Sequence, residues 1–352
     1  MDERKDHLWK VAQEAEERID DLVKAGAPVG VDVGTSKVVA ARKRGKEIET
    51  ASQLNAFIPV AYSRFTETIL GQNNIQYYRE GDELIIYGAA TDKFASMFNA
   101  EARRPMADGI LNAKEKAALP VLEAIIQSIL PKARNAGEVL AFSVPAAADG
   151  KSAELTYHEA TLRRHFEAMG YKAVAINEGL AVIFSELEDQ NFTGIGISCG
   201  GGMCNVALAY LSIPSLMFSI AKGGDYIDTA VGRVVAEHAT RVKVLKEEGL
   251  DLSRSPKDKF EKALHIYYED LVETLVEALR RACSKAENMP RTERPLPIVI
   301  AGGTAKPRGF RELFEKTLRA RLLPIEISEV RMASDPLTAT ARGSLIAAMY
   351  EK

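Results

Sequence analysis

The same local pattern occurs twice in this sequence: two apolar, strand-like runs joined by a bend of glycine and other small residues. The first copy is GVDVGTSKVVA at residues 30–40, and the second is GIGISCGGGMCNVAL at residues 194–208. Each copy is followed by helical and strand-like segments in alternation, which is typical of an α/β sheet with crossover helices. The repeat predicts a duplicated α/β domain with a ligand cleft between its two halves.

The size and composition of the chain agree with two lobes. Its 352 residues, 46% hydrophobic and 27% charged, can bury a large core. No run approaches the roughly 18 apolar residues that span a bilayer, and the start MDERKDHLWK is too charged for a secretory signal, so we expect a cytoplasmic protein. A net charge of −3 gives no argument for nucleic-acid binding.

The three cysteines do not predict a metal centre. Cys199 and Cys204 flank a glycine run without the histidine or further cysteine that a zinc site needs, and Cys283 is remote in sequence. We interpret all three as small buried residues.

Both bends are candidates for phosphate-binding turns. Backbone N–H groups bind phosphate well where no large side chain blocks the approach, and Lys37 adds a cation to the first bend. Asp32 is placed to hold Mg²⁺ through the water shell that this ion keeps. The alternative is an ordinary tight hairpin, in which glycine and serine only satisfy the turn geometry. The turn residues are Gly34, Thr35 and Ser36 in the first copy and Gly200, Gly201 and Gly202 in the second.

A third motif, VIAGGTAKPRGF at residues 299–310, is an apolar strand that opens into a glycine turn. Gly302 and Gly303 allow the backbone to approach a flat ring or a phosphate closely. We expect Thr304 to cap a helix that starts near Arg308. The alternative is a strand-to-helix turn with no special role.

Taken together, the motifs resemble those of the actin-like ATPase superfamily, which includes actin, MreB, MamK, FtsA and DnaK-type chaperones. GVDVGTSKVVA is similar to its first phosphate motif, FSVPA to its first connecting motif, and GIGISCGGGMCNVAL to its second phosphate motif. IVIAGGTAKPRGF is similar to the adenosine motif, and DPLTATARGSLIAA to the second connecting motif. RRPMADGIL and GGDYIDTAVGRVV resemble MreB in particular, so the bacterial filament proteins MreB and MamK are the nearest members.

The resemblance implies an α/β fold of two ribonuclease H-like domains around a central nucleotide cleft, with domain I at 28–188 plus 335–352 and domain II at 189–334. Apolar residues at steps of three or four predict a separate helix at 1–27, ahead of the motifs. Small subdomains are expected at about 47–103 in domain I and, reduced and mainly helical, at about 231–285 in domain II.

The resemblance also implies roles for individual residues, with ATP or ADP and Mg²⁺ as the bound species. Asp32 would order the waters of Mg²⁺, the two glycine turns would hold phosphates, and Glu178 would polarise the attacking water. Lys246 and Glu247 would lie along the adenosine, with Gly302, Gly303 and Thr304 beneath the base. From the residues alone, an alternative for Glu178 is a helix N-terminal acid stabilised by the helix dipole. For Lys246 and Glu247 the alternative is a solvated helix face.

Two departures from the superfamily pattern concern the second phosphate motif. Ser198 stands where the family has an aspartate, and Met203 and Cys204 replace the usual threonine pair. We therefore expect nucleotide binding with slow hydrolysis, in a protein that polymerises into filaments. The alternatives are a non-polymerising adaptor or pseudo-ATPase and a small-molecule kinase of the same fold, although no acid follows Gly34 to act as the base of a kinase.

The N-terminal segment carries a narrow apolar stripe formed by Leu8, Val11, Ala15, Ile19 and Leu22. Residues 1–26 hold eight acidic and five basic side chains. Because an anionic membrane attracts basic segments, an apolar stripe on this net acidic segment predicts a protein partner instead of a direct membrane contact. The partner would be the body of the same protein or a neighbouring subunit.

Overall fold

A computed structural model of the chain describes residues 27–98, 100–135, 137–147, 152–286 and 294–351. Except for its last residue, the helix predicted at 1–27 lies outside these ranges. Within them, no helix combines the length and the apolar character that crossing a membrane requires.

Strands and helices alternate along the chain in two successive rounds. The first round contains β1 (Val29–Val33), β2 (Lys37–Arg44), β3 (Glu47–Leu54), β4 (Phe57–Ala61), α1 (Arg64–Gln72), β5 (Tyr77–Glu80), β6 (Glu83–Tyr87), α2 (Thr91–Phe98), β7 (Met106–Ala107), β8 (Ile110–Leu111), α3 (Ala118–Ile129), β9 (Glu138–Val144), α4 (Ser152–Ala168), β10 (Tyr171–Asn177) and α5 (Glu178–Glu186). The second round contains β11 (Gly194–Cys199), β12 (Cys204–Tyr210), β13 (Ile213–Ile220), α6 (Gly224–Val235), α7 (Ala239–Gly249), α8 (Lys259–Lys285), β14 (Leu296–Ala301), α9 (Phe310–Arg319), β15 (Ile327–Met332) and α10 (Ala339–Tyr350).

Two five-stranded sheets share one topology. Their strand orders are β3-β2-β1-β9-β10 and β13-β12-β11-β14-β15. In each sheet the first three strands pair antiparallel as consecutive hairpins, and the last two join in parallel. This repetition confirms the predicted duplicated α/β fold. We call the half built on the first sheet lobe I and the half built on the second sheet lobe II.

Helices cover each sheet and complete its core. In lobe I, α3 and α4 pack on the sheet, and the rings of Phe142 and Phe166 lie 5.3 Å apart. In lobe II, α8 packs against α6, α9 and β13, and the rings of Tyr268 and Phe310 lie 6.1 Å apart. The apolar residues of segment 260–283 recur at helical spacing, and this segment lies within α8.

The central helices α5 and α10 join the lobes. α5 packs on β11 and β12, α10 packs on β1 and β9, and the two helices contact each other. Their backbones approach so closely that a Cβ on Gly343 would lie 1.7 Å from the carbonyl oxygen of Ala181. Any side chain at this position would collide with rigid backbone, so glycine sets the spacing of the two helices.

An insert with its own small core extends from lobe I. Strands β4, β5 and β6 form a separate three-stranded sheet on which Leu70 of α1 and Ala95 of α2 are buried. The sequence placed the start of this insert at about residue 47. Residues 47–54 instead form β3, which pairs with β2 along its whole length, so the insert begins after Leu54.

The helical part of lobe II is interrupted between α6 and α7. Ala236, which directly follows α6, has a left-handed backbone (φ 58°). Within the expected subdomain at about 231–285, α8 belongs to the lobe II core. Of its helices, α7 is the one that reaches across to the lobe I insert, where Lys243 Nζ contacts Asp92 Oδ2 at 2.8 Å.

The imidazole of His158 makes the stability of lobe I depend on pH. Its Nδ1 accepts a hydrogen bond from the Leu111 N–H at 3.3 Å, whereas its Nε2 has no partner among the described residues. Burial lowers the pKa of His158 to about 4. Because the unfolded chain binds this proton at about pH 6.5, acid favours unfolding between those two pH values.

We therefore expect the free energy of unfolding to fall as the pH is lowered from about 6.5 to about 4, and to fall less steeply in His158→Gln. Denaturant titrations of both proteins across this range measure the difference. Equal slopes for the parent and the variant would contradict the assignment.

Candidate functional site

The two lobes enclose a cavity of about 400 Å³. Its walls come from the ends of β1, β11 and β14 and from the neighbouring loops and helices of both lobes. Every residue that the sequence predicted for the site lines it: Asp32, Gly34, Thr35, Ser36, Lys37, Glu178, Gly200, Gly201, Gly202, Lys246, Glu247, Gly302, Gly303 and Thr304. Residues distant in sequence thus meet at one place.

The two glycine turns have the same internal geometry and face each other. The N–H of Gly34 donates to the carbonyl of Lys37 at 3.0 Å, and the N–H of Gly200 donates to the carbonyl of Met203 at 2.9 Å. A Cβ on Gly201 would lie 2.1 Å from Ser36 Oγ of the opposite turn. Glycine at position 201 therefore permits the two turns to approach across the cleft.

The third motif contacts the second turn through Thr304. Its hydroxyl donates to the carbonyl of Gly200 at 2.8 Å. The expectation that Thr304 caps a helix near Arg308 was wrong, because a 3₁₀ turn intervenes and α9 begins at Phe310 after Gly309. Thr304 instead ties the end of β14 to the second glycine turn.

Two carboxylates lie at the floor of the cavity. Asp32 Oδ1 accepts from the Ser143 hydroxyl at 2.7 Å, and Glu178 Oε2 accepts from the Ser198 hydroxyl at 3.1 Å. Withdrawal from bulk water raises the pKa of Asp32 to about 6 and that of Glu178 to about 8, and the charge of Asp32 contributes to the second shift. Glu178 is also the first residue of α5, in agreement with the helix-terminal interpretation.

This donor set fits a hard cation that keeps most of its own water. Both groups are carboxylates whose pKa is raised by burial, and a cation beside them would stabilise their charged forms. Among the described residues, no group of three or more His, Cys, Asp or Glu side chains is arranged to hold a metal. Mg²⁺ takes few protein carboxylates and completes its shell with water and phosphate oxygens, so the residues present suit it.

Lys246 and Glu247 differ in their surroundings. Lys246 is buried, and its Nζ lies 2.5 Å from Asp228 Oδ1 and 3.4 Å from the Gly224 carbonyl, whereas Glu247 is exposed at the cavity rim. Lys246 is therefore not part of a solvated helix face. Burial outweighs the lysine charge and raises the pKa of Asp228 to about 6.

Several polar residues of the cavity were missed by the sequence analysis. They include Arg104, Asp225, Asp228 and Lys243, all of which line the cavity wall. Arg104 lies in RRPMADG and both aspartates lie in GGDYID, so the resemblance of these segments to MreB was the available signal.

The two-lobed arrangement and its cleft are those of the actin-like fold. The MamK double helical filament matches with a TM-score of 0.66 and 17% identity over 93% of this chain and 99% of that one. MreB5 of Spiroplasma citri bound to AMPPNP matches with a TM-score of 0.59 and 15% identity, over 91% of this chain and 95% of that one. The ethanolamine utilization protein EutJ from Carboxydothermus hydrogenoformans matches with a TM-score of 0.54 and 15% identity, over 91% of this chain and 89% of that one. At these identities the likeness concerns the fold, for which it confirms the predicted actin-like class.

A more specific assignment comes from a family model. The model described as Volactin matches residues 28–348, so the chain belongs to the volactin family. No curated protein matches the chain.

Proposed function

We propose that this chain is an actin-like cytoskeletal protein that binds ATP with Mg²⁺ between its lobes, hydrolyses it slowly and polymerises into filaments. The observation that carries the proposal is the convergence of both glycine turns, the third motif and two carboxylates on one cavity. The cavity volume of about 400 Å³ lies within the range of about 300–1,000 Å³ typical of small-molecule sites.

In this proposal the phosphate chain lies between the turns at Gly34–Ser36 and Gly200–Gly202, whose N–H groups and small residues suit an anion. Asp32 would hold the hydrated Mg²⁺, and the ion would offset phosphate charge. Glu178 orients the attacking water, and the nucleoside extends toward Gly302, Thr304 and the rim at Glu247.

Self-assembly is proposed because one structural neighbour, MamK, is a double helical filament. We expect pelleting and visible filaments with ATP and Mg²⁺, and less of both without nucleotide. Electron microscopy of the pelleted material checks this, and deletion of residues 1–26 in the same assay tests whether that segment contacts a neighbouring subunit.

Binding is tested separately from assembly. Calorimetry should detect ATP only when Mg²⁺ is present. Absence of Mg²⁺-dependent binding of any purine nucleotide at millimolar concentration would reject the proposed function.

Ser198 favours a second candidate, an actin-like pseudo-ATPase or adaptor that binds nucleotide without polymerising. Its hydroxyl occupies the side of Glu178 where the family places an acid, so the metal site has one carboxylate fewer. Nucleotide binding without filaments at any nucleotide, salt or protein concentration would support this candidate.

A further inference from the structure

One cation joins the two lobes at the phosphate end of the cavity. Arg104 of lobe I pairs with Asp225 of lobe II, with Nη2 3.1 Å from Oδ1 and Nη1 3.4 Å from Oδ2. The same guanidinium donates to Ser36 Oγ at 2.8 Å. All three residues line the cavity.

Arg104 is connected to both turns proposed to bind phosphate. Ser36 belongs to the first turn, and the backbone N–H of Asp225 donates to the carbonyl of Gly201 in the second turn at 2.8 Å. The side chains of Arg104 and Asp225 are only 20% and 32% exposed, so their charges are less screened than those of a surface pair. A change of partner at Arg104 therefore acts directly between the turns.

Two lysines buried in this wall also have partners. Lys246 is held by Asp228, and Lys243 by Asp92 of the lobe I insert. The counter-ion of Arg104, in contrast, adjoins the second glycine turn and is partly open to the cavity. A planar guanidinium binds phosphate oxygens through two parallel N–H groups as well as it binds a carboxylate.

We infer that Arg104 is a specificity-determining residue that distinguishes nucleotides by the number of their phosphates. A terminal phosphate between the two turns competes with the Asp225 carboxylate for the guanidinium. A triphosphate gains this contact, and a shorter diphosphate leaves Arg104 on Asp225. The inference rests on the proposed nucleotide function and adds to it a means of telling ATP from ADP.

The test is the ratio of the dissociation constants of Mg-ADP and Mg-AMPPNP, measured by calorimetry on the full chain. We expect Arg104→Gln to lower this ratio about tenfold, because a charge-assisted contact is lost only with the triphosphate. Arg104→Lys keeps the positive charge but loses the two parallel N–H groups of the guanidinium. Its ratio should therefore lie between those of the parent protein and Arg104→Gln. Asp225→Asn removes the competing carboxylate, and its ratio should rise.

Two control variants separate this role from a merely structural one. Arg103→Gln removes the charge next to Arg104 in sequence. Arg103 does not line the cavity, and its Nε donates to Glu115 Oε2 at 2.8 Å. Asp92→Asn breaks a different interlobe pair, with Lys243, without touching either turn. Both should leave the ratio within about twofold of the parent value.

Two results would overturn the inference. One is an equal loss of affinity for both nucleotides in Arg104→Gln, as expected if Arg104 only holds the two lobes together. The other is an Asp225→Asn protein whose ratio moves in the same direction as that of Arg104→Gln. A parent protein that binds neither nucleotide would instead reject the proposed function itself, and melting curves of each variant verify that it is folded.

Discussion

Glu178→Ala is expected to slow ATP hydrolysis at least about 100-fold, because a positioned acid or base contributes about 10²–10⁴ to such a reaction. The side chain is buried at the floor of the cavity beside Asp32 and does not belong to either phosphate turn. The affinity for ATP should therefore remain within about threefold of the parent value. Single-turnover phosphate release and calorimetry measure the two quantities.

A matched control for this variant is Glu188→Ala, which removes an exposed acid just after the same helix. It should leave hydrolysis unchanged. Hydrolysis by Glu178→Ala at the parental rate would remove Glu178 from the mechanism.

Ser198→Asp tests the same site in the opposite direction. The Ser198 hydroxyl lies 3.1 Å from Glu178, so an aspartate there adds a carboxylate to the proposed metal site. We expect faster Mg²⁺-dependent hydrolysis, together with a lower melting temperature in the absence of Mg²⁺ because like charges then repel. An exposed control, Ser255→Asp, should show neither effect.

Lys246→Met is expected to destabilise the fold by about 3–5 kcal/mol, because it leaves the buried carboxylate of Asp228 without its partner. The two side chains are 8% and 5% exposed, so water cannot replace the lysine. The loss should shrink as the pH falls through about 6, because the pKa of Asp228 is already raised in the folded protein and a protonated Asp228 is neutral. Denaturant titrations at several pH values measure this.

The double variant Lys246→Met/Asp228→Leu serves as the internal control, since replacing both charges by apolar groups is often close to neutral. Arg241→Met removes a charge from the exposed face of the same helix and should change stability little. A loss after Lys246→Met no larger than that of Arg241→Met would show that the ion pair adds no stability.

The site and the fold were predictable to the extent that local sequence encodes them. A glycine turn between two apolar strands is a specific local pattern, and its repetition at 30–40 and 194–208 indicated the duplicated sheet. Asp32 lies on β1 and Glu178 directly follows β10, and both are parallel strands of the first sheet. Since parallel strands end at the same edge of a sheet, these two carboxylates were predictable neighbours.

Hydrogen-bond and ion-pair partners that lie far apart in sequence were not predictable in the same way. Arg104 and Asp225 are 121 residues apart, and Thr304 and the Gly200 carbonyl are 104 apart. The boundary of the lobe I insert likewise depended on whether residues 47–54 pair with β2, which their own pattern does not reveal.

The sequence by itself thus determined the duplicated α/β architecture and the residue types at the phosphate turns, because both depend on hydrophobic periodicity and backbone geometry over short segments. Only the tertiary structure decided that Lys246 is held by Asp228 and that Arg104 reaches the opposite lobe. A charged side chain takes the partner that packing brings within a few ångströms once water is excluded. For Lys246 that partner comes from the packing of α7 on α6, and for Arg104 from how closely α5 and α10 allow the two lobes to approach.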